Sequence, residues 1–149
     1  MRFRSLLPNA RPPAGARGQS VVEFAFMVPI LILLVAGAID LGNGYQTWIN
    51  LTNAAREGAR KASTTANSTV ICNRVVDELA NTDITVACGN VAVTYPGAGG
   101  ADTCTTGTRA TGCPVRVTVT YAMNTLLGGV FGFNSITITG SVDMIVFSA

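Results

Sequence analysis

Between Val21 and Ile39 the chain is apolar except for Glu23, and from Phe24 to Ile39 the run is unbroken. As a helix, these roughly nineteen residues would be about 28 Å long, close to the hydrocarbon thickness of a bilayer. Asp40 closes the run, and Pro29 inside it removes one backbone donor, which predicts a kink or a loosened turn. A segment of this kind commits the N-terminal third to a membrane. Only the rest of the chain is left to build a globular head.

The flanks set the expected orientation. Arg2, Arg4, Arg11 and Arg17 give the first eighteen residues a charge of +4 with no acid, and Pro8, Pro12, Pro13, Gly15 and Gly18 argue against a stable element there. The remainder carries six basic residues against eight acids, a net of −2. Positive charge confined to a leader reads as a topology signal, with the leader in the cytoplasm and the C-terminal part across the membrane. A nucleic-acid binder would concentrate it on the folded part instead, so nucleic acid is not an expected partner and lipid is. Cys72, Cys88, Cys104 and Cys113 all follow the apolar run, which fits disulfides in an oxidising compartment. Four cysteines allow three pairings. The short separation of Cys104 and Cys113 makes them the natural local pair, worth somewhat under ~3 kcal/mol, and leaves Cys72 for Cys88.

Past Asp40 the pattern becomes amphipathic without a break. Tyr45, Trp48, Leu51, Ala55, Gly58, Ala59 and Ala62 recur at helical spacing, so one helix is predicted from Arg17 to Ser63. Glu57 and Lys61 are spaced for an i,i+4 pair, and Tyr45 with Trp48 falls where amphipathic rings favour the headgroup layer. Gly37, Ala38, Gly42, Ala55, Gly58, Ala59 and Ala62 permit close helix packing. For the alanine stripe the partner is either the chain's own sheet or a neighbouring subunit.

After a polar turn at 63–69, Val70–Ala80 reads as a short helix with Ile71, Val75 and Leu79 on one stripe. Ile84–Tyr95 alternates and predicts one bent strand or a hairpin turning at Gly89-Asn90. Residues 96–114 form a long polar loop, Val115–Tyr121 is the clearest strand, and 126–133 (LLGGVFGF) reads as an exposed apolar turn. A final strand carries Ile136, Ile138, Val142, Met144 and Val146 on one face, with a bend at Gly140. The expected fold is α+β: a long N-terminal helix, transmembrane then amphipathic, packed on a small antiparallel sheet head with one short helix, stapled by disulfides. The expected segments are a leader (1–18), a span (19–40), the amphipathic continuation (41–63) and an extracytoplasmic head (64–149). Some 86 residues after Ser63 are few for an independent core, so the polar half of the helix should help complete it.

The sharpest chemical constellation is Gly18, Gln19 and Glu23-Phe24, directly after the basic leader. A carboxylate at the head of an apolar span is costly unless paired. Were the chain cut after Gly18, Gln19 would carry a free amine one helical turn from Glu23, and that acid could neutralise its own or a neighbour's amine. The pattern resembles the type IV prepilin processing site. The longer runs GQSVVEFAFMVPILILLVAGAIDLG and NLTNAAREGARKAS resemble the TadE-like family of tight-adherence (Tad) pilus proteins, over roughly Arg17–Ser63, with a weaker echo in VRVTVTYAMNTLLGG and SITITGSVDM. This resemblance implies a minor pilin or pseudopilin, with prepilin peptidase, other pilin subunits and the assembly machinery as partners. Gly18 and Gln19 would flank the scissile bond, with Glu23 and Phe24 in recognition or docking. The long cysteine-bearing loop has no counterpart in that pattern.

Three other readings compete. An ordinary signal peptide would use Ala36-Gly37-Ala38 and release a secreted domain from Ile39, but Glu23 and a helical pattern running through the cut oppose it. An unprocessed single-pass anchor could display a binding or adhesive head through the 96–114 loop. The glycosylation triplets Asn50-Leu51-Thr52 and Asn67-Ser68-Thr69 carry little weight. Catalysis is not expected: there is no histidine, Asp77-Glu78 and Asp83 with Asp102 read as solvated acids, and no phosphate-binding loop, metal site or cofactor motif stands out.

Overall fold

A computed structural model describes residues 16–97, 104–132 and 135–148. Most of the expected leader, together with Asp102, lies outside them. Helix α1 runs Ala16–Ala62 with Pro29 inside it, so helical structure starts two residues before the expected end of the leader. The chain divides into two compact units, one ending at Ala36 and the other spanning Gly37–Ala149, and α1 contributes to both.

In the second unit α1 is followed by α2 (Ser68–Leu79), β1 (Val91–Thr94), β2 (Pro114–Asn124), a short helix α3 (Leu126–Phe131) and β3 (Ser135–Ile145). The three strands form one antiparallel sheet in the order β1-β2-β3. Central β2 places Val117 opposite Val93 and Val142, and Val119 opposite Val91 and Gly140. Strict alternation puts Val115, Val117 and Val119 on one face, and all three are fully buried. Bidentate pairing of Arg116 with Asp143 (2.6 and 2.7 Å) ties β2 to β3 on the exposed face. In water such a pair contributes little to stability.

The valine face closes on the polar half of α1. Leu51, Ala54, Ala55, Ala59 and Ala62 are fully buried, and with Ile71, Val75 and Leu79 of α2 they form a single core. Two glycines set the approach. A Cβ on Gly58 would come within 2.6 Å of Val75 Cγ2 and 3.2 Å of Val117 Cγ1. One on Gly140 would lie 2.7 Å from the backbone of Leu51 and Thr52, so β3 crosses α1 with backbone against backbone. The alanine stripe therefore serves the chain's own sheet. Tyr45 and Trp48, on the same sequence stripe, stay exposed and stack with ring centroids 6.0 Å apart.

Asn67 caps α2, its side-chain oxygen accepting from the Thr69 and Val70 amides, so helix α2 begins two residues before the expected start and one glycosylation triplet is a helix cap. The far end of α1 is closed by the segment after β3 and by the loop: Phe147 N–H donates to Ser63 O at 2.9 Å, and Arg109 reaches the Ala62 and Ser63 carbonyls at 3.4 Å. Disulfides join Cys72 to Cys88 and Cys104 to Cys113, each with Cα atoms 5.5 Å apart.

Three local expectations are corrected. Residues 84–87 make no ladder: Ile84 and Val86 are buried, but the segment is extended coil, and a 3-10 turn at Cys88–Asn90 leads into a single short strand instead of a hairpin. Residues 126–131 are a helix and not a turn. Glu57 pairs with Arg60 (2.8 Å) and Arg74 (2.9 Å) instead of Lys61, because α2 brings Arg74 across to it.

That last cluster has a pH signature. Hydrogen bonds from Arg60 and then Arg74 hold the Glu57 carboxyl below its ordinary value of 4.5. A group whose folded pKa is depressed contributes stability that is present above its unfolded pKa and lost as the pH falls through the folded one. Asp143 beside Arg116 behaves the same way. Lowering the pH from about 6 to about 3 should therefore lower the unfolding midpoint, and Glu57→Gln should flatten part of that fall. An unchanged pH slope in the variant would show that the Glu57 pairs carry no stability.

Candidate membrane span and processing site

Gly18, Gln19, Glu23 and Phe24 all lie on α1 and are exposed. Gln19 and Glu23 are i,i+4 neighbours, so the peptide nitrogen of Gln19 is one turn from the carboxylate. Among the described residues nothing approaches within 4 Å of a Cβ built on Gly18. Beyond Glu23 the helix is apolar on every side: Phe26 is 74% exposed, and all six side chains from Ile30 to Val35 are exposed. A helix hydrophobic all round belongs in an apolar surrounding, and α1 is long and apolar enough to cross a membrane.

Asp40, read from sequence only as the end of the apolar run, has a structural task. Its Oδ1 accepts from the Leu126 amide and its Oδ2 from the Leu127 amide, both at 2.9 Å. The Thr125 hydroxyl accepts from Gly128 N–H at 3.0 Å. Together these satisfy the free N–H groups at the start of α3 and fasten it to α1. Leu127 Cδ1 lies 3.4 Å from the position of a Gly37 Cβ. The small residues thus divide: Ala55, Gly58, Ala59 and Ala62 are buried in the head, Gly37 faces α3, and Ala38 and Gly42 are exposed or open.

A polar groove of about 500 Å³ lies next to this point, lined by the carboxamides of Asn43, Gln46 and Asn50 on α1 with Asn81, Asp83 and Asn124 opposite. No motif reveals it, since its walls come from three distant stretches. Among the described residues no three metal-ligating side chains cluster, and the cysteines are all in disulfides.

A long exposed apolar helix whose second half forms the wall of an α+β head defines a membrane-anchored protein. Residues 18–60 fit the model of the family described as TadE-like protein, so this stretch is similar to that family. That family is pilus-associated and structural, and the match points to a membrane protein associated with the Tad pilus. No curated protein and no solved structure matches the chain.

Proposed function

We propose that the chain is a minor pilin or pseudopilin of a Tad pilus, cut between Gly18 and Gln19 by a prepilin peptidase. The observation that carries this reading is where the TadE-like match begins. It starts at Gly18, inside α1, and the helix from Val21 to Ile39 is largely exposed and apolar apart from Glu23. The leader would remain in the cytoplasm and the head would stand outside. Apolar residues 24–39 would hold the subunit in the bilayer until neighbouring pilin helices take the place of lipid. Glu23, one turn from the new amine of Gln19, would neutralise that charge or a neighbouring subunit's.

The mature N-terminus tests it, read by intact mass and terminal peptide sequencing of protein from its native membrane. The expected start is Gln19, with loss of that product in Gly18→Val. Because no atom of the described residues approaches Gly18, the substitution leaves their fold alone and reads on the peptidase. A start at Ile39 would make the protein a secreted domain, and an uncut chain would make it a fixed anchor. Either result sinks the processing reading.

A further inference from the structure

We propose that α3 is a membrane-surface contact: Leu126, Val130 and Phe131 insert into the interfacial layer of the lipid bilayer beside the point where α1 leaves it. The inference rests on reading residues 21–39 as the span. All three side chains are largely exposed, at 59%, 69% and 60%, and α3 (LLGGVF) carries no charge. Its place is fixed by tertiary contacts. Both Asp40 oxygens hold its first amides, and Leu127 packs at Gly37, so α3 lies level with the last turn of the apolar run. Asp40 is the only charged residue between Glu23 and Arg56, and its carboxylate is occupied by those two amides.

The surroundings at that level have the same character. Leu41 is 77% exposed, Ile136 at the start of β3 is half exposed, and the stacked Tyr45–Trp48 pair lies one to two turns farther along α1. An apolar rim followed by amphipathic rings is the profile of a bilayer interface. The opposite end of the head carries Glu57, Arg60, Lys61 and Arg74 and is charged. Exposed apolar side chains in α3 are therefore set beside Gly37 and Asp40, where the apolar run ends, and lipid is the occupant that this position selects. The contact would hold the head against the membrane, with the polar groove beside it at headgroup level.

The test uses the full chain in vesicles of phosphatidylethanolamine and phosphatidylglycerol, with and without lipids brominated on their acyl chains. In a Trp48→Phe background a single tryptophan is placed by Phe131→Trp, by Leu126→Trp, by Ile30→Trp in mid-span, or by Phe147→Trp. Phe147 is 70% exposed beside Ser63, roughly 35 Å farther along α1. Positions 126 and 131 should show blue-shifted emission and bromolipid quenching several-fold stronger than position 147, approaching that at position 30. Quenching at 126 and 131 no stronger than at 147, with position 30 still quenched, would overturn the contact and leave the span intact. Shielding of 126 and 131 from both bromolipid and acrylamide would also overturn it, showing another protein surface there. Loss of quenching at position 30 would remove the span reading itself.

Discussion

Gly140→Val should leave the head unfolded under conditions in which the parent chain is folded. The added Cβ would meet the Leu51 carbonyl carbon and Thr52 nitrogen at 2.7 Å and the Leu51 oxygen at 2.9 Å, all backbone atoms of a helix that cannot turn aside. To make room, β3 would have to lift off α1, opening the core where Leu51 and Val119 are fully buried. Overpacking typically costs about 1–3 kcal/mol even where side chains can shift. Gly140→Ala should fall at the upper end of that range, and valine should exceed it in a domain whose whole margin is of order 5–15 kcal/mol. Gly58→Ala should cost less, because its clashes are with the methyl ends of Val75 and Val117. Gly89→Ala, with nothing within 4 Å, serves as the neutral control. Urea unfolding of the full chain in detergent micelles, followed through Trp48, ranks the four. Equal midpoints for Gly140→Ala and Gly89→Ala would show that β3 does not approach α1 this closely.

Replacing Cys72 and Cys88 together by alanine should lower stability by about 3 kcal/mol, with a slightly smaller loss for the Cys104 and Cys113 pair. The first bridge closes a separation of 16 residues and the second a separation of 9. Longer closed loops restrain the unfolded chain more. The first also has the harder task in the folded state. It ties α2, whose Ile71, Val75 and Leu79 line the core, to the turn that feeds a strand of only four residues. That strand is an edge, held by a single ladder to β2. Without the bridge, Ile84 and Val86 have no backbone ladder to keep them against the core. The same urea series measures both pairs. An unchanged midpoint in the Cys72/Cys88 variant would mean that packing alone holds α2 and β1 in place.

What could be read from the sequence was what depends on local spacing. The helix through Ala62, the α2 stripe and the valine alternation of β2 are periodic signals, and each formed the element it predicted. The failures share one cause, a partner far away in the chain. LLGGVF is a poor helix by propensity, with Gly128 and Gly129 in the middle. It becomes helical because Asp40, 86 residues earlier, supplies two acceptors at its start. Glu57 has Lys61 at the ideal spacing, yet Arg74 from another helix takes the carboxylate, a pairing that exists only after α2 docks. Ile84 and Val86 alternate like a strand, but they answer to burial on the core without a neighbouring edge to pair with. At the proposed processing site, Gly18 and Glu23 were legible as a motif, whereas Asp40 at the other end of the apolar run looked like a mere stop.

The crossing of Gly140 over Leu51 also dictates the order of assembly. One wall of the core is synthesised early, on α1, and the strand that lies against it follows only after α2, β1, β2 and α3. Contacts this distant close slowly, since the intervening chain must be collected before they return any energy. Until then the part of α1 around Leu51 that β3 covers stays open, and apolar surface left open in this way favours aggregation. The nascent chain is therefore most vulnerable after α1 is made and before β3 arrives. Conditions that delay the C-terminal residues should endanger it more than any that perturb the finished head.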